Sequence, residues 1–407
     1  VAGACLRLFF LIFTPGTYDL EIWHEHAAQI AQDGLIRYYH ENPEANHPPF
    51  MFEAGVALLQ GSQVTGIPFD ILFRLPFALL DAGTAMLLWA LLGDLKRRPW
   101  LVAGYWLNPL AILISSYHGN TDSAVAFFTL LSVWFLSKDR LFAGALAAGA
   151  GLWIKLPGIW AVPALLLLCR GWRARLAFLA LAGITAVSTY LPAFFLDAPV
   201  VWKNVFGYHG LTLVTSAGIP IWGLVRGILD PILPAAWAQP PDGPLLWLLL
   251  NGWKIAAALM LLLVWLRRKQ STAPEVCATI AITYALLCGW SENWAFQYFA
   301  WTLPFWFFLP AWFPILATAL AGGYVYSLYW FLCGNPLLLG TWDFIGKPRW
   351  PFIVVLFRNL AVLFFWGSGN GFVIAALKSF FTQRHAPAPA PATAGSVNPP
   401  PAPPGCP

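Results

Sequence analysis

The chain has 407 residues, of which 59% are hydrophobic and only 10% charged, with a formal net charge of +5 and a mean hydropathy of +0.66. A soluble domain carries roughly 25% charged residues, so this balance excludes one. The basic residues fall in short clusters between apolar runs, which excludes a nucleic-acid face and makes membrane lipids the expected surroundings.

The apolar runs approach the ~20 residues that carry a helix across a hydrocarbon core of roughly 30 Å. They lack the period-2 alternation of a transmembrane barrel. The expected class is therefore all-α, a polytopic integral membrane protein. Its six cysteines form no paired framework in any polar loop.

In chain order, the first apolar run, 5–13, is short for a span and the first residue is Val1, so the sequence reads as having lost its beginning. A polar island follows at 14–66. Within 18–50 it gathers Asp19, Glu21, Glu25, Asp33, Glu41 and Glu44 with four of the seven histidines. Trp23, Ala27 and Ile30 recur at helical spacing, which predicts an amphipathic surface helix closed by Gly34. A second helix-like stretch, 49–66, carries Glu53, Gln60, Ser62 and Gln63.

Charge parity then sets the spans. Basic clusters at 94–98, 138–140, 170–175, 267–269 and 378–384 all fall on the cytoplasmic side if spans run at 71–93, 100–116, 121–136, 141–154, 158–168, 176–195, 245–266, 276–290, 296–309, 313–333 and 351–366. This requires 49–66 and 219–233 to lie on the outer surface. The expectation is about twelve spans, counting the first run, in a membrane domain 1–367 with both termini in the cytoplasm. It has a first outer loop at 14–66 and a large outer loop at 197–244. The tail 368–407 is Ala/Pro-rich and expected to be disordered from about 386.

Most polar groups without an obvious partner fall on the outer face. Asp19 and Glu21 open the surface helix, where a carboxylate facing water serves as a general base; for Asp19 the alternative is a helix N-cap. Tyr117-His-Gly-Asn-Thr-Asp122 sits at an outer mouth. Its His118 and Asp122, four residues apart, favour a binding role over a simple cap, although one His and one carboxylate do not close a metal's coordination sphere. Lys155, flanked by apolar residues at an outer turn, is expected to meet an anionic phosphate. Arg74 is expected to snorkel to the headgroups. In 291–298 (SENWAFQY), Glu292 and Gln297 call for partners, while Tyr208, His209 and Trp222 in the large loop offer ring faces for a sugar or for lipid anchoring.

Taken in order, these pieces resemble the GT-C superfamily of membrane glycosyltransferases. Asp19-Leu-Glu21 followed by Gly34, Tyr38-Tyr39 and His47-Pro48-Pro49 looks like the acidic first outer loop of the GPI mannosyltransferase I group and of the lipid-linked-oligosaccharide glucosyltransferases. The segment 117–122 is similar to their histidine-containing outer motif, Lys155-Leu-Pro157 to their lysine-proline turn, and Gln297-Tyr298 with Trp301 and Pro304 to a late motif of bacterial members. The resemblance covers roughly 14–304.

It implies an inverting transfer of a sugar, mannose among the options, from a polyprenyl-phosphate donor to the hydroxyl of a lipid-linked or glycan acceptor. The implied place is the outer, periplasmic face of a bacterial inner membrane. Asp19 or Glu21 would be the base. Lys155, His118 and His209 or Arg226 would steady the phosphate, with His47, Asp122, Glu292, Gln297 and Tyr298 completing the substrate site. The first motif is Asp-x-Glu rather than Asp-x-Asp, which leaves both the base and any divalent ion open; no metal ligand is assigned. A transporter or flippase of lipid-linked sugars is the alternative function, and a membrane acyltransferase a third. Against transport, the charges gather on one face and no repeat with broken helices is evident.

Overall fold

The computed structural model describes residues 1–43, 45–93, 95–207, 244–291, 294–343 and 350–385. Among these the fold is all-helical, as expected. The polar island forms three helices: α2 (Tyr18–Asp33), α3 (Leu35–Glu41) and α4 (Pro49–Thr65), preceded by α1 (Ala2–Phe13). Leu20, Trp23, Ala27 and Ile30 form the buried stripe of α2, as their spacing predicts. Gly55 of α4 faces Trp23 and Ala27. Gly34 ends α2 at φ +83°, a conformation open to glycine because it has no Cβ.

The body begins with α5 (Phe69–Leu91), α6 (Arg98–Trp106), α7 (Pro109–Ile112) and a π-helical segment Leu113–His118. Then come α8 (Asp122–Ser137), α9 (Leu141–Ile154), α10 (Val162–Leu165), α11 (Gly171–Ser188) and α12 (Leu191–Val201). From residue 244 the chain continues as α13 (Pro244–Leu266), α14 (Ala273–Trp290), α15 (Phe299–Thr302), α16 (Trp312–Cys333) and α17 (Phe352–His385).

Four described stretches are long and apolar enough to cross a membrane: Phe69–Leu91, Ala273–Trp290, Trp312–Cys333 and Phe352–Thr382. A fifth is a broken one, Gly171–Ser188 with Leu191–Phe206, bent by 80°. Several expected spans are thus not single helices, and proline is the reason. The expected 100–116 breaks at Asn108-Pro109, 158–168 is mostly 3-10 around Pro157 and Pro163, and 296–309 passes through 3-10 turns about Pro304. A 3-10 segment rises about 2.0 Å per residue against about 1.5 Å for an α-helix, so these short runs reach farther than their residue count suggests. The core lies where α14, buried on every side, packs against α8, α13, α15 and α17.

Arg74 does not snorkel. It is 2% exposed and sits inside the protein between α1 and the π-helical segment, because backbone carbonyls there accept all of its N–H groups. A second cation, Arg7 of α1, is buried against Asp81 of α5 at 2.9 Å.

Candidate active site

Three chain segments converge at one mouth: the start of α2, the turn 118–122 between the π-helical segment and α8, and the turn at Lys155 after α9. The turn before α15 closes it. Asp19 is not an N-cap. Thr17 holds that position, so Asp19 falls in the first turn with its carboxylate free to point across the mouth. It meets His118, whose Nε2 lies 2.7 Å from Asp19 Oδ2.

His118 is 1% exposed and its other nitrogen, Nδ1, lies 2.6 Å from the Tyr329 hydroxyl of α16. Nε2–H donates to the carboxylate, and Nδ1 shares the second hydrogen bond with the Tyr329 hydroxyl, where either partner can donate. The imidazole is also walled by Phe296, Tyr329 and Trp342, and Trp342 donates its indole N–H to Tyr117. Asp19, by contrast, keeps 39% of its side chain open. The result is a carboxylate presented to solvent on a buried, fully engaged support.

Asp122 is not a cap either. Thr121 is the N-cap of α8, while the backbone N–H of Asp122 donates to Asn120 Oδ1. Its fully buried carboxylate accepts from Lys155 Nζ at 2.9 and 3.1 Å and from the Trp301 indole N–H of α15. Lys155 lies over the Tyr298 ring at 4.8 Å, and Tyr298 stacks on Trp301 at 4.1 Å. The Lys155 ammonium has three donors, so the grip of both Asp122 oxygens fixes its place and leaves one hydrogen for a further acceptor.

The two clusters form one electrostatic unit. Burial pushes the Asp19 carboxyl up, but the His118 and Lys155 charges, with the His118 hydrogen bond, outweigh it and hold the group below its ordinary 3.8. His47, from the loop before α4, feels both Asp19 and Lys155 and packs on the Trp23 ring at 4.6 Å. Burial, then the Lys155 charge, push His47 down to about 3, so it is neutral in any ordinary buffer. His26, bonded to Tyr38 at 2.6 Å, is pushed down to about 4 by burial.

The structure therefore brings together Asp19, His47, His118, Asp122, Lys155 and Tyr298. It separates Glu21. Two residues along a helix lie on opposed faces, and Glu21 is exposed beside His24, Glu25 and Asp70 in an open depression on the far side of α2. Gln297 neighbours Tyr298, with its Oε1 buried and without a partner. His209, Arg226 and Glu292 lie outside the described residues. Among the described residues no group of three His, Cys, Asp or Glu side chains is placed to hold a metal ion.

Tyr329, Asn120 and the anchoring role of Trp301 were not legible beforehand. Tyr329 sits in an apolar helix more than two hundred positions from His118, where nothing local distinguishes it from an interfacial tyrosine.

No family model matches the chain. It is 30% identical over 161 residues to GPI mannosyltransferase 1 of Kluyveromyces lactis, an alignment covering 37% of this chain and 39% of that protein. The chain thus spans about two fifths of the length of the curated relative it matches. The apolar helices of membrane-crossing length are those of a multi-pass membrane protein.

Proposed function

We propose that the chain is a GT-C-type glycosyltransferase that moves a sugar from a polyprenyl-phosphate donor to an acceptor hydroxyl, with Asp19 as the base. The named activity of the yeast relative makes mannose the first sugar to test. One observation carries the proposal: a solvent-facing carboxylate 2.7 Å from a buried histidine, electrostatically coupled to Lys155. The twelve-span arrangement, with this mouth on the outer face, belongs to the same proposal.

In the reaction, the acceptor O–H bond breaks toward Asp19 as the oxygen attacks the anomeric carbon. The C1–O bond to phosphate breaks on the opposite face, its electron pair leaves on polyprenyl phosphate, and the anomeric configuration inverts. A carboxylate held below 3.8 is a weak base toward a resting alcohol. It suits a late proton transfer, when bonding to C1 has already made the hydroxyl acidic. Lys155, fixed by Asp122, supplies positive charge where phosphate charge grows. His118 has both nitrogens engaged, so its part is to orient Asp19 rather than to grip the phosphate. Tyr298 offers the ring face beneath Lys155, and His47 a neutral polar edge for sugar hydroxyls.

The test is transfer from radiolabelled polyprenyl-phosphate sugars to membrane acceptors by purified protein. Transfer with one donor supports the proposal. No transfer from any donor, with labelled lipid exchanging between leaflets of proteoliposomes instead, replaces it with the flippase alternative.

A further inference from the structure

The geometry points to Arg74 as the positioning residue that sets the contact between Asp19 and His118, a role that rests on the base assigned above. Its guanidinium lies beneath both loops of the site. Nη1 donates to the Phe10 carbonyl at 3.0 Å, to Thr14 Oγ1 at 3.2 Å and to the Tyr117 carbonyl at 3.4 Å. Nη2 donates to the carbonyls of Leu11 and Thr14, both at 3.0 Å, and Nε to the carbonyl of Asp70 at 3.0 Å.

Apart from the Asp70 carbonyl of its own helix, these partners are the unsatisfied end of α1 and the residue just before His118. A cation at a helix C-terminus offsets the partial negative charge of the exposed carbonyls, which is how this charge is accommodated; among the described residues it forms no ion pair. All five N–H groups are used, so the side chain has no donor left for a lipid phosphate.

Two glycines show how tightly both loops are docked on it. Gly16, three residues before Asp19, has φ +82°, and a Cβ there would lie 3.0 Å from the Tyr117 carbonyl oxygen and 3.3 Å from Arg74 Nη1. Gly119, next to His118, has φ +70°, and its Cβ would lie 2.3 Å from Arg74 Cγ. Both chain segments turn in the left-handed region against the same side chain. The separation of Asp19 from His118 is thus fixed from below by one planar five-donor group, which lysine's single ammonium does not reproduce.

The experiment uses purified full chain in nanodiscs as wild type, Arg74→Lys, His118→Gln and the double variant. Arg74→Lys is expected to lower kcat by ~10–100-fold, the cost of about 1 Å of misplacement, with KM moved by less than about threefold. The double variant is expected to be no more than about twofold worse than His118→Gln alone, because both changes remove one contact. Losses that multiply, or unchanged kcat per folded molecule with only the yield reduced, overturn the assignment.

A second readout needs no turnover. In ¹³C-aspartate-labelled protein, with the Asp19 signal identified by its absence in Asp19→Asn, the carboxyl titrates at higher pH in Arg74→Lys, as it does in His118→Gln. An Asp19 titration unmoved by Arg74→Lys contradicts the inference. If wild type transfers no sugar, the proposed function fails and this titration alone decides for or against Arg74. Gly119→Ala keeps Arg74 but crowds it, and is expected to give the same signature where Arg74→Lys does not fold.

Discussion

Two carboxylates in this protein, Asp81 and Asp19, are each held by a buried nitrogen base and differ in what they leave open. At Asp81, Arg7 donates at 2.9 and 3.1 Å, Tyr105 at 3.0 Å and Ser115 at 2.6 Å, and the carboxylate is 4% exposed. Arg7 also stacks on Trp106 and donates to its carbonyl. Both oxygens are engaged, and the group is sealed from solvent. At Asp19, one histidine donates, that histidine is itself held by a tyrosine, and 39% of the carboxylate side chain stays open. Residue types do not separate a structural cluster from a reactive one. Unused acceptor capacity facing a mouth does.

Breaking the sealed cluster has the largest expected effect. Asp81→Ala leaves Arg7 buried without its partner, at a cost of about 3–5 kcal/mol. Thermal unfolding in detergent checks this, and the folded fraction should transfer sugar at the wild-type rate. A fall in turnover per folded molecule would erase the contrast between the clusters.

At the open cluster the order reverses, with activity lost and stability kept. Lys155→Met removes the charge proposed to face the leaving phosphate and is expected to lower kcat by ~10²–10³-fold. Single-turnover kinetics with labelled donor measure it, and a change confined to KM would move Lys155 from leaving-group stabilisation to ground-state binding. Smaller still is Tyr329→Phe, which deletes one hydrogen bond behind His118, worth about 1 kcal/mol or ~5-fold in kcat. An unchanged rate would show that His118 needs no second anchor.

The mildest perturbation is pH. His26 and His47 stand at about 4 and about 3 in the folded protein, below the ordinary 6.5. Below 6.5 the unfolded chain takes up protons that the folded site refuses. Stability from these groups is therefore full above 6.5 and declines as pH falls from there toward 4 and 3. The unfolding temperature should drop across that window, and less so in His47→Gln. A flat profile would contradict the neutral histidines at this site.

Much of the site was legible because its parts announce themselves locally. Asp19, His118, Asp122 and Lys155 are polar residues at the ends of apolar runs, where an unpaired charge is costly, and their order along the chain predicted one face. The stripe of α2 and its stop at Gly34 follow from helical period and glycine's backbone freedom. What stayed hidden depends on long-range packing. Glu21 looks equivalent to Asp19 in sequence, and only helix phase separates them. Arg74 looks like a snorkelling cation until the end of α1 folds back over it. The helix type within several expected spans stayed hidden where proline exchanges α for 3-10 geometry, since hydropathy reports apolar length and not backbone pitch.

The central claim is that the open carboxylate, and not the sealed one, takes the proton. It is tested most directly by comparing sugar transfer in Asp19→Asn with wild type, both normalised to folded protein. A loss of ~10²–10⁴-fold is expected, with an unfolding temperature close to wild type. Retained transfer in folded Asp19→Asn would contradict it and return the search for the base to the other groups of the mouth.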